Sequence, residues 1–213
     1  MLISFSGIDG AGKSTMISLL REDLDRRGLR SKMIWARGGW TPGLEIVKSL
    51  VRTDGRMTTS ERAAYREGIH ADPRKRRLLL IGAILDLYFY FGVYYRFVNY
   101  LRGIVICDRY IWDTYIDFKI NYSEFDFERW ILWEVLLKVF PRPKRSFLLL
   151  ISEEESLRRC VLKGDDFFEK RDVRDEKVRL YRALAEKGLW DMVLDGGRPK
   201  DEVFGDIKKA LRK

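Results

Sequence analysis

With 213 residues, 46% of them hydrophobic and 34% charged, the chain can bury the core of one domain, which excludes intrinsic disorder. A formal charge of +9 favours anionic partners, whether nucleotides, phosphorylated metabolites, nucleic acid or an acidic membrane, without choosing among them. The two cysteines, Cys107 and Cys160, exclude a disulfide framework and a zinc-type spacing and point to a reducing compartment.

The opening LISFSG reads as a strand from Leu2 to Ser6, with no basic flank or small-residue cleavage site ahead of it, so the chain is expected in the cytoplasm. From Ser14 to Arg27, Met16, Leu19, Leu20 and Leu24 fall on one helical face, and Gly28 stops the helix. A second strand is predicted over Lys32 to Ala36. The next apolar stretch, Leu78 to Tyr95, carries Asp86 as its single charge and reaches the lower length limit of a membrane span. An aspartate near the bilayer centre costs roughly 2.5–3.5 kcal/mol on insertion scales. No span is therefore expected; the stretch reads as a long buried helix over 74–101, or as the aromatic lining of an acceptor pocket.

Three further strands are predicted at Ile104 to Cys107, Ser146 to Ile151 and Met192 to Leu194. Ser152 with Glu155 makes a capping-box start for a helix ending near Lys163, and Gly164 breaks it. A further helix carries Val178, Leu180, Tyr181 and Leu184 on its apolar side. Strands alternating with helices predict a three-layer α/β fold with a mostly parallel sheet. No repeat or low-complexity linker divides the chain, so residues 1–213 read as a single domain with a lid segment at about 158–173.

Gly7-Ile8-Asp9-Gly10-Ala11-Gly12-Lys13-Ser14 matches G-x-x-x-x-G-K-[ST], between the strand and the helix that the pattern requires. Gly7, Gly10 and Gly12 let backbone N–H groups curl around a β-phosphate, and the helix N-terminus adds positive potential. Lys13 can reach β- and γ-phosphates, and Ser14 is the expected magnesium ligand. The predicted ATP-contacting set is Gly7, Asp9, Gly10, Ala11, Gly12, Lys13, Ser14 and Thr15.

Asp108 follows an apolar strand, where open α/β sheets bind ligands, and could hold magnesium directly or through water. Arg109 is then placed to clamp a phosphate or carboxylate of a second substrate. On the helix that ends near Lys163 and in the loop that follows, Arg158, Arg159, Lys163, Lys170 and Arg171 are candidate lid cations for a transferred phosphoryl group.

With these pieces in order, the sequence resembles the thymidylate kinase family of P-loop nucleoside-monophosphate kinases. FSGIDGAGKST is close to that family's phosphate loop, and ICDRY matches its Asp-Arg-Tyr/His motif. LRRCVLKGDDFFE, running into VRLYRAL, looks like its lid and following helix. The resemblance implies a P-loop kinase fold with a five-stranded parallel sheet, helices on both faces and a helical lid. It implies ATP as donor with Mg2+, the reaction ATP + dTMP to ADP + dTDP, and often a homodimer. Asp9 becomes the loop carboxylate that contacts the acceptor's sugar hydroxyl, and Arg109, followed by Tyr110, the arginine that approaches the phosphates. Arg37, in WARGGWTPG, corresponds loosely to the arginine of the family's Arg-Glu-Pro-Gly-Gly-Thr segment. With no cation among Ile8 to Ala11, catalytic positive charge is expected from the lid, with Arg159 the candidate.

The departures fall in the acceptor half. Where the family has an Asp-Arg pair this chain has Asp86-Leu87, and where it has Tyr-Gln-Gly this chain has Asp117-Phe118-Lys119. An unreplaced phosphate-binding arginine costs roughly 1.5–3 kcal/mol, enough to change the preferred acceptor. Another nucleotide, a sugar or a lipid-linked metabolite is the alternative. A nucleic-acid-dependent ATPase is disfavoured, because the chain lacks an Asn-Lys-x-Asp sequence and its cations are scattered.

Overall fold

A computed structural model of the chain describes residues 1–35, 72–97, 103–164 and 170–212. They divide into two compact units, the first from residues 1–35, 103–120, 142–164 and 170–212, the second from residues 72–97 and 121–141. The described strands are β1 (Leu2–Ser6), β2 (Ser31–Trp35), β3 (Ile104–Asp108), β4 (Arg145–Leu150) and β5 (Met192–Asp195). The described α-helices are α1 (Lys13–Arg26), α2 (Pro73–Phe89), α3 (Ile111–Asn121), α4 (Ile131–Val139), α5 (Glu153–Lys163), α6 (Arg171–Glu186) and α7 (Lys200–Arg212).

All five strands form one parallel sheet in the first unit, in the order β2-β3-β1-β4-β5, which is the three-layer α/β architecture expected. β1 lies at the centre and is buried along its whole length, as a strand covered on both faces must be. Its register sets Phe5 opposite Asp108, so the loop after Ser6 and the Asp108-Arg109 step leave the sheet side by side. That is the carboxyl-end crevice where ligands of such sheets sit. Phe5 stacks on Phe147 of β4 at 5.2 Å between ring centroids, and Met16, Ile17, Leu20 and Leu24 of α1 join the same core. Leu19, expected on that face, is half-buried.

Element ends shift by a residue or so from the sequence expectation, and one shift has chemical weight. β3 includes Asp108 as its last residue, so the carboxylate is held by strand pairing. The serine half of the expected capping box forms at α5: the Ser152 hydroxyl accepts the Glu155 N–H at 3.2 Å, whereas the Glu155 carboxylate bonds Arg158 and Arg159, and Gly164, at φ 72°, ends the helix.

In the second unit α2 starts after Asp72, whose carboxylate accepts the Arg74 N–H at 2.9 Å, with Pro73 in the first turn. The α-helix expected over 74–101 changes pitch at Tyr90–Tyr94, a π-helical turn in which the Tyr95 N–H bonds the Tyr90 carbonyl. Residues 98–101 lie outside the described residues. The side chains supply the reason for the change. In an α-helix residues 90 and 95 would point about 140° apart, whereas the wider turn brings both tyrosines inward with ring centroids 5.2 Å apart and Phe91 packed against both. The helix over Pro73–Phe97 is long and apolar enough to cross a membrane, yet Leu80, Ala83, Ile84 and Leu87 are buried and α2 packs on α4. Leu78, Leu85, Phe89, Val93 and Phe97 remain exposed, so the wholly buried helix read from the sequence is buried on one side only.

Candidate active site

Ser6 ends β1, and the chain then turns through the glycine-rich loop into α1. Gly12, at φ 94°, caps α1 without a side-chain bond, and no acid occupies the first turn, so its N–H groups and positive helix end face the loop. Lys13 points back across the loop, and its ammonium donates to the carbonyls of Gly7 and Ile8 at 2.8 Å each. Only 7% of Lys13 is exposed. Burial, reinforced by Arg109, lowers its pKa to about 8 against the opposing pull of Asp9, Asp108 and Asp113. Ser14 and Thr15 stand exposed beside it.

Asp108 presents a buried oxygen, Oδ1, that accepts no hydrogen bond. Burial raises its pKa, and Lys13 and Arg109 draw it back down. A buried carboxylate oxygen with unused lone pairs is an oxygen donor of the kind a hard divalent cation takes.

Arg109 follows with φ 73°, a left-handed backbone that side-chain-bearing residues adopt at a cost of order 1 kcal/mol. That backbone sends the guanidinium to the loop. One amino group is bonded to the Asp9 carboxylate; the other donates to the Gly7 carbonyl at 3.2 Å and lies 3.7 Å from Asp113 Oδ1. Tyr110 is buried at 2% exposure, and its backbone N–H is bonded to Asp113 Oδ2 at 2.9 Å.

The structure thus gathers Gly7, Asp9, Lys13, Asp108 and Arg109 into one place. Arg159 lies there too, but as a clamp: it bonds Glu155 at 2.6 Å and the carbonyls of Gly10 and Gly196 at 3.2 and 2.9 Å. Lys163, Lys170 and Arg171 are exposed, and lid residues 165–169 lie outside the described residues. Arg37 also lies outside them. Asp86 belongs to the second unit, where its neighbour Leu87 is 1% exposed and part of that unit's core. Asp117 is committed to an ion pair with Lys177 of α6 at 3.3 Å, both side chains buried.

The sequence reading missed Asp113. Its signals were present: it stands four residues after Arg109 and in the first turn of α3, where an acid can reach back to the Tyr110 N–H. It also missed Arg174 and Lys177, which lie on the buried face of α6 with Val178 and Tyr181. Cations on an apolar helix face were the available clue.

An anion cradle at the end of the central strand, with an acid and an arginine leaving the neighbouring strand, marks the phosphoryl-transfer class, the P-loop kinases. No protein-family model matches the chain. It is similar to the thymidylate kinase of Mycoplasmopsis pulmonis, at 24% identity over 100% of this chain and 88% of that protein. It is likewise similar to the probable thymidylate kinase 1 of Saccharolobus solfataricus, at 28% over 100% and 97%. Its fold matches that of a deoxyadenosine kinase from M. mycoides with bound dATP, at a TM-score of 0.62 and 16% identity, over 100% of each chain. The chain is thus similar to thymidylate kinases along its whole length, and its fold is that of the P-loop kinases.

Proposed function

We propose that the chain transfers the γ-phosphoryl group of ATP to dTMP in the cytoplasm, releasing ADP and dTDP. The observation that carries this reading is the loop: an uncapped α1 N-terminus, the Lys13 ammonium on the loop carbonyls, and the Asp9–Arg109 pair beside it. Backbone N–H groups of the loop and of the first turn of α1 receive the polyphosphate, and Lys13 exchanges the carbonyls of Gly7 and Ile8 for phosphate oxygens. Ser14 and Asp108 would hold Mg2+, which when bound neutralises charge on the β- and γ-phosphates. Asp9 accepts a hydrogen bond from the acceptor's sugar hydroxyl, and Arg109, held by its backbone, takes the acceptor phosphate. Arg159 supplies positive charge from the lid side. Tyr110 follows Arg109 on the acceptor side in this reading. Positioning and charge neutralisation make up the catalysis.

A second reading keeps the donor site and changes the acceptor. It is favoured by the burial of Leu87 and by the engagement of Asp117 with Lys177, both at positions where the resemblance leads one to expect acceptor contacts. ADP release measured with ATP and a panel of nucleoside monophosphates, sugars and lipid-linked metabolites separates the two. We expect dTMP to raise ADP release at least about tenfold over the acceptor-free rate, a gain of about 1.4 kcal/mol in barrier. If dTMP gives no increase and another acceptor does, the second reading replaces the first. DNA and RNA should give no stimulation.

The exposed row Leu78, Leu85, Phe89, Val93 and Phe97 supports a homodimer formed through this helix, since apolar patches of this kind mark association sites. Sedimentation equilibrium should give a dimer for the wild type and a monomer for Phe89→Glu, with the far-UV spectrum unchanged. A wild-type monomer at tens of micromolar would remove the proposal.

A further inference from the structure

Helix α6 reaches both members of the Asp9–Arg109 pair through single intermediaries. On one side the Tyr181 hydroxyl donates to Asp113 Oδ1 at 2.5 Å, and that same oxygen lies 3.7 Å from the Arg109 guanidinium. On the other, buried Arg174 donates to the Ser156 hydroxyl at 3.2 Å, which donates to the Asp9 carbonyl at 2.6 Å. Asp113 is the denser node. Its carboxylate, at 1% exposure, accepts the Ser6 hydroxyl at 2.6 Å, the Tyr110 N–H at 2.9 Å, the Gly7 N–H at 3.3 Å and the Tyr181 hydroxyl. Four donors converge and nothing is donated back. Each carboxylate oxygen faces one backbone N–H, which can only donate, so an amide in its place would turn an NH2 group toward one of them.

We infer that Asp113 and Tyr181 are positioning residues for phosphoryl transfer, holding Arg109 and the first loop residue, Gly7, at fixed separation and tying that geometry to α6. This rests on the kinase reading above. The physical reason is the left-handed backbone of Arg109: a strained residue keeps its side-chain direction only when its surroundings over-determine it. Asp113 supplies that determination from β1, α3 and α6 together. Burial, and after it the Asp113 charge, raises the Tyr181 pKa well above its ordinary value, so the hydroxyl remains a donor.

Tyr181→Phe removes one donor and keeps the ring, which packs on Trp190 at 6.1 Å, so the variant should fold. Its kcat should fall about tenfold, as small misplacements of reacting groups do, with KM for ATP within about twofold of wild type. In an Arg109→Lys background the same change should cost less than about twofold, because the residue it positions is already gone. Equal losses in both backgrounds, or an unchanged kcat in folded Tyr181→Phe, overturn the inference. An arm independent of turnover follows the Arg109 Nη–H signals by nitrogen-15 NMR. Hydrogen exchange there should quicken about two- to tenfold in Tyr181→Phe if a local hold worth one hydrogen bond is lost, and an unchanged rate overturns the inference. If the wild type transfers phosphate to no acceptor, the kinase reading fails and the NMR arm alone decides whether Arg109 is held.

Discussion

Gly7→Ala should leave a chain that folds weakly, with its urea midpoint displaced by a loss of about 2–6 kcal/mol, the sum of an overpacked contact and a strained backbone. Two features of residue 7 act together. Its φ is 138°, which side-chain-bearing residues rarely adopt, and a Cβ there would lie 2.4 Å from the carbonyl oxygen of Leu149. That oxygen belongs to β4, paired on both sides in the sheet, so it cannot step aside cheaply. Gly12→Ala is the control. Its φ of 94° carries a strain of about 1 kcal/mol, but its nearest neighbour would be a leucine methyl at an ordinary 3.8 Å. Urea unfolding of the two variants should therefore separate them clearly. A Gly7→Ala midpoint equal to that of Gly12→Ala would mean the loop does not pass this close to β4.

Lys13 carries the second large effect, and its direction follows from linkage. In the folded protein its pKa is about 8, against 10.5 for the free side chain. A lowered ammonium pKa means the folded state binds fewer protons between those values, so stability rises with pH across that window. The burden of the buried charge is present in full below about pH 8 and is relieved as pH climbs toward 10.5, amounting to about 3 kcal/mol at one pKa unit per 1.36 kcal/mol. The unfolding free energy of the wild type relative to Lys13→Met should therefore improve by up to that amount between pH 8 and 10.5, measured by denaturant titration at matched ionic strength. A flat difference across the window would show that Lys13 is not buried as described. Polyphosphate beside the ammonium should restore its proton. ATP binding at pH 8.5, followed calorimetrically in two buffers of different ionisation enthalpy, should then take up most of a proton per site.

The donor half of the site was legible because its chemistry is local. A loop of eight consecutive residues, an apolar strand before it and an amphipathic helix after it leave few other arrangements, and the loop, Lys13 and Asp108 stand where the spacing put them. Contacts that depend on tertiary approach were not legible. Asp113 meets Tyr181 across 68 residues of sequence and Ser6 across 107, and no periodicity reports such a meeting. Arg159 reads as a lid cation from its neighbours in the chain, but Glu155 one turn earlier and the carbonyl of Gly196 decide where its head goes. The π-turn at Tyr90–Tyr94 was hidden for a different reason: YFGVY satisfies helical propensity, and only the mutual packing of Tyr90, Phe91 and Tyr95 reveals the extra residue in the turn.

The loop supplies its own counter-ions. Two cations, Lys13 and Arg109, sit among three carboxylates, Asp9, Asp108 and Asp113, so a chain with a formal charge of +9 meets its anionic ligand at a locally compensated spot. Ligand recognition there depends on oriented N–H groups and on exchanging one set of internal partners for another, rather than on a long-range field. Screening by salt acts on fields extending beyond about 8–10 Å and barely touches buried pairs. Nucleotide affinity in this protein should accordingly be far less sensitive to ionic strength than its overall charge suggests.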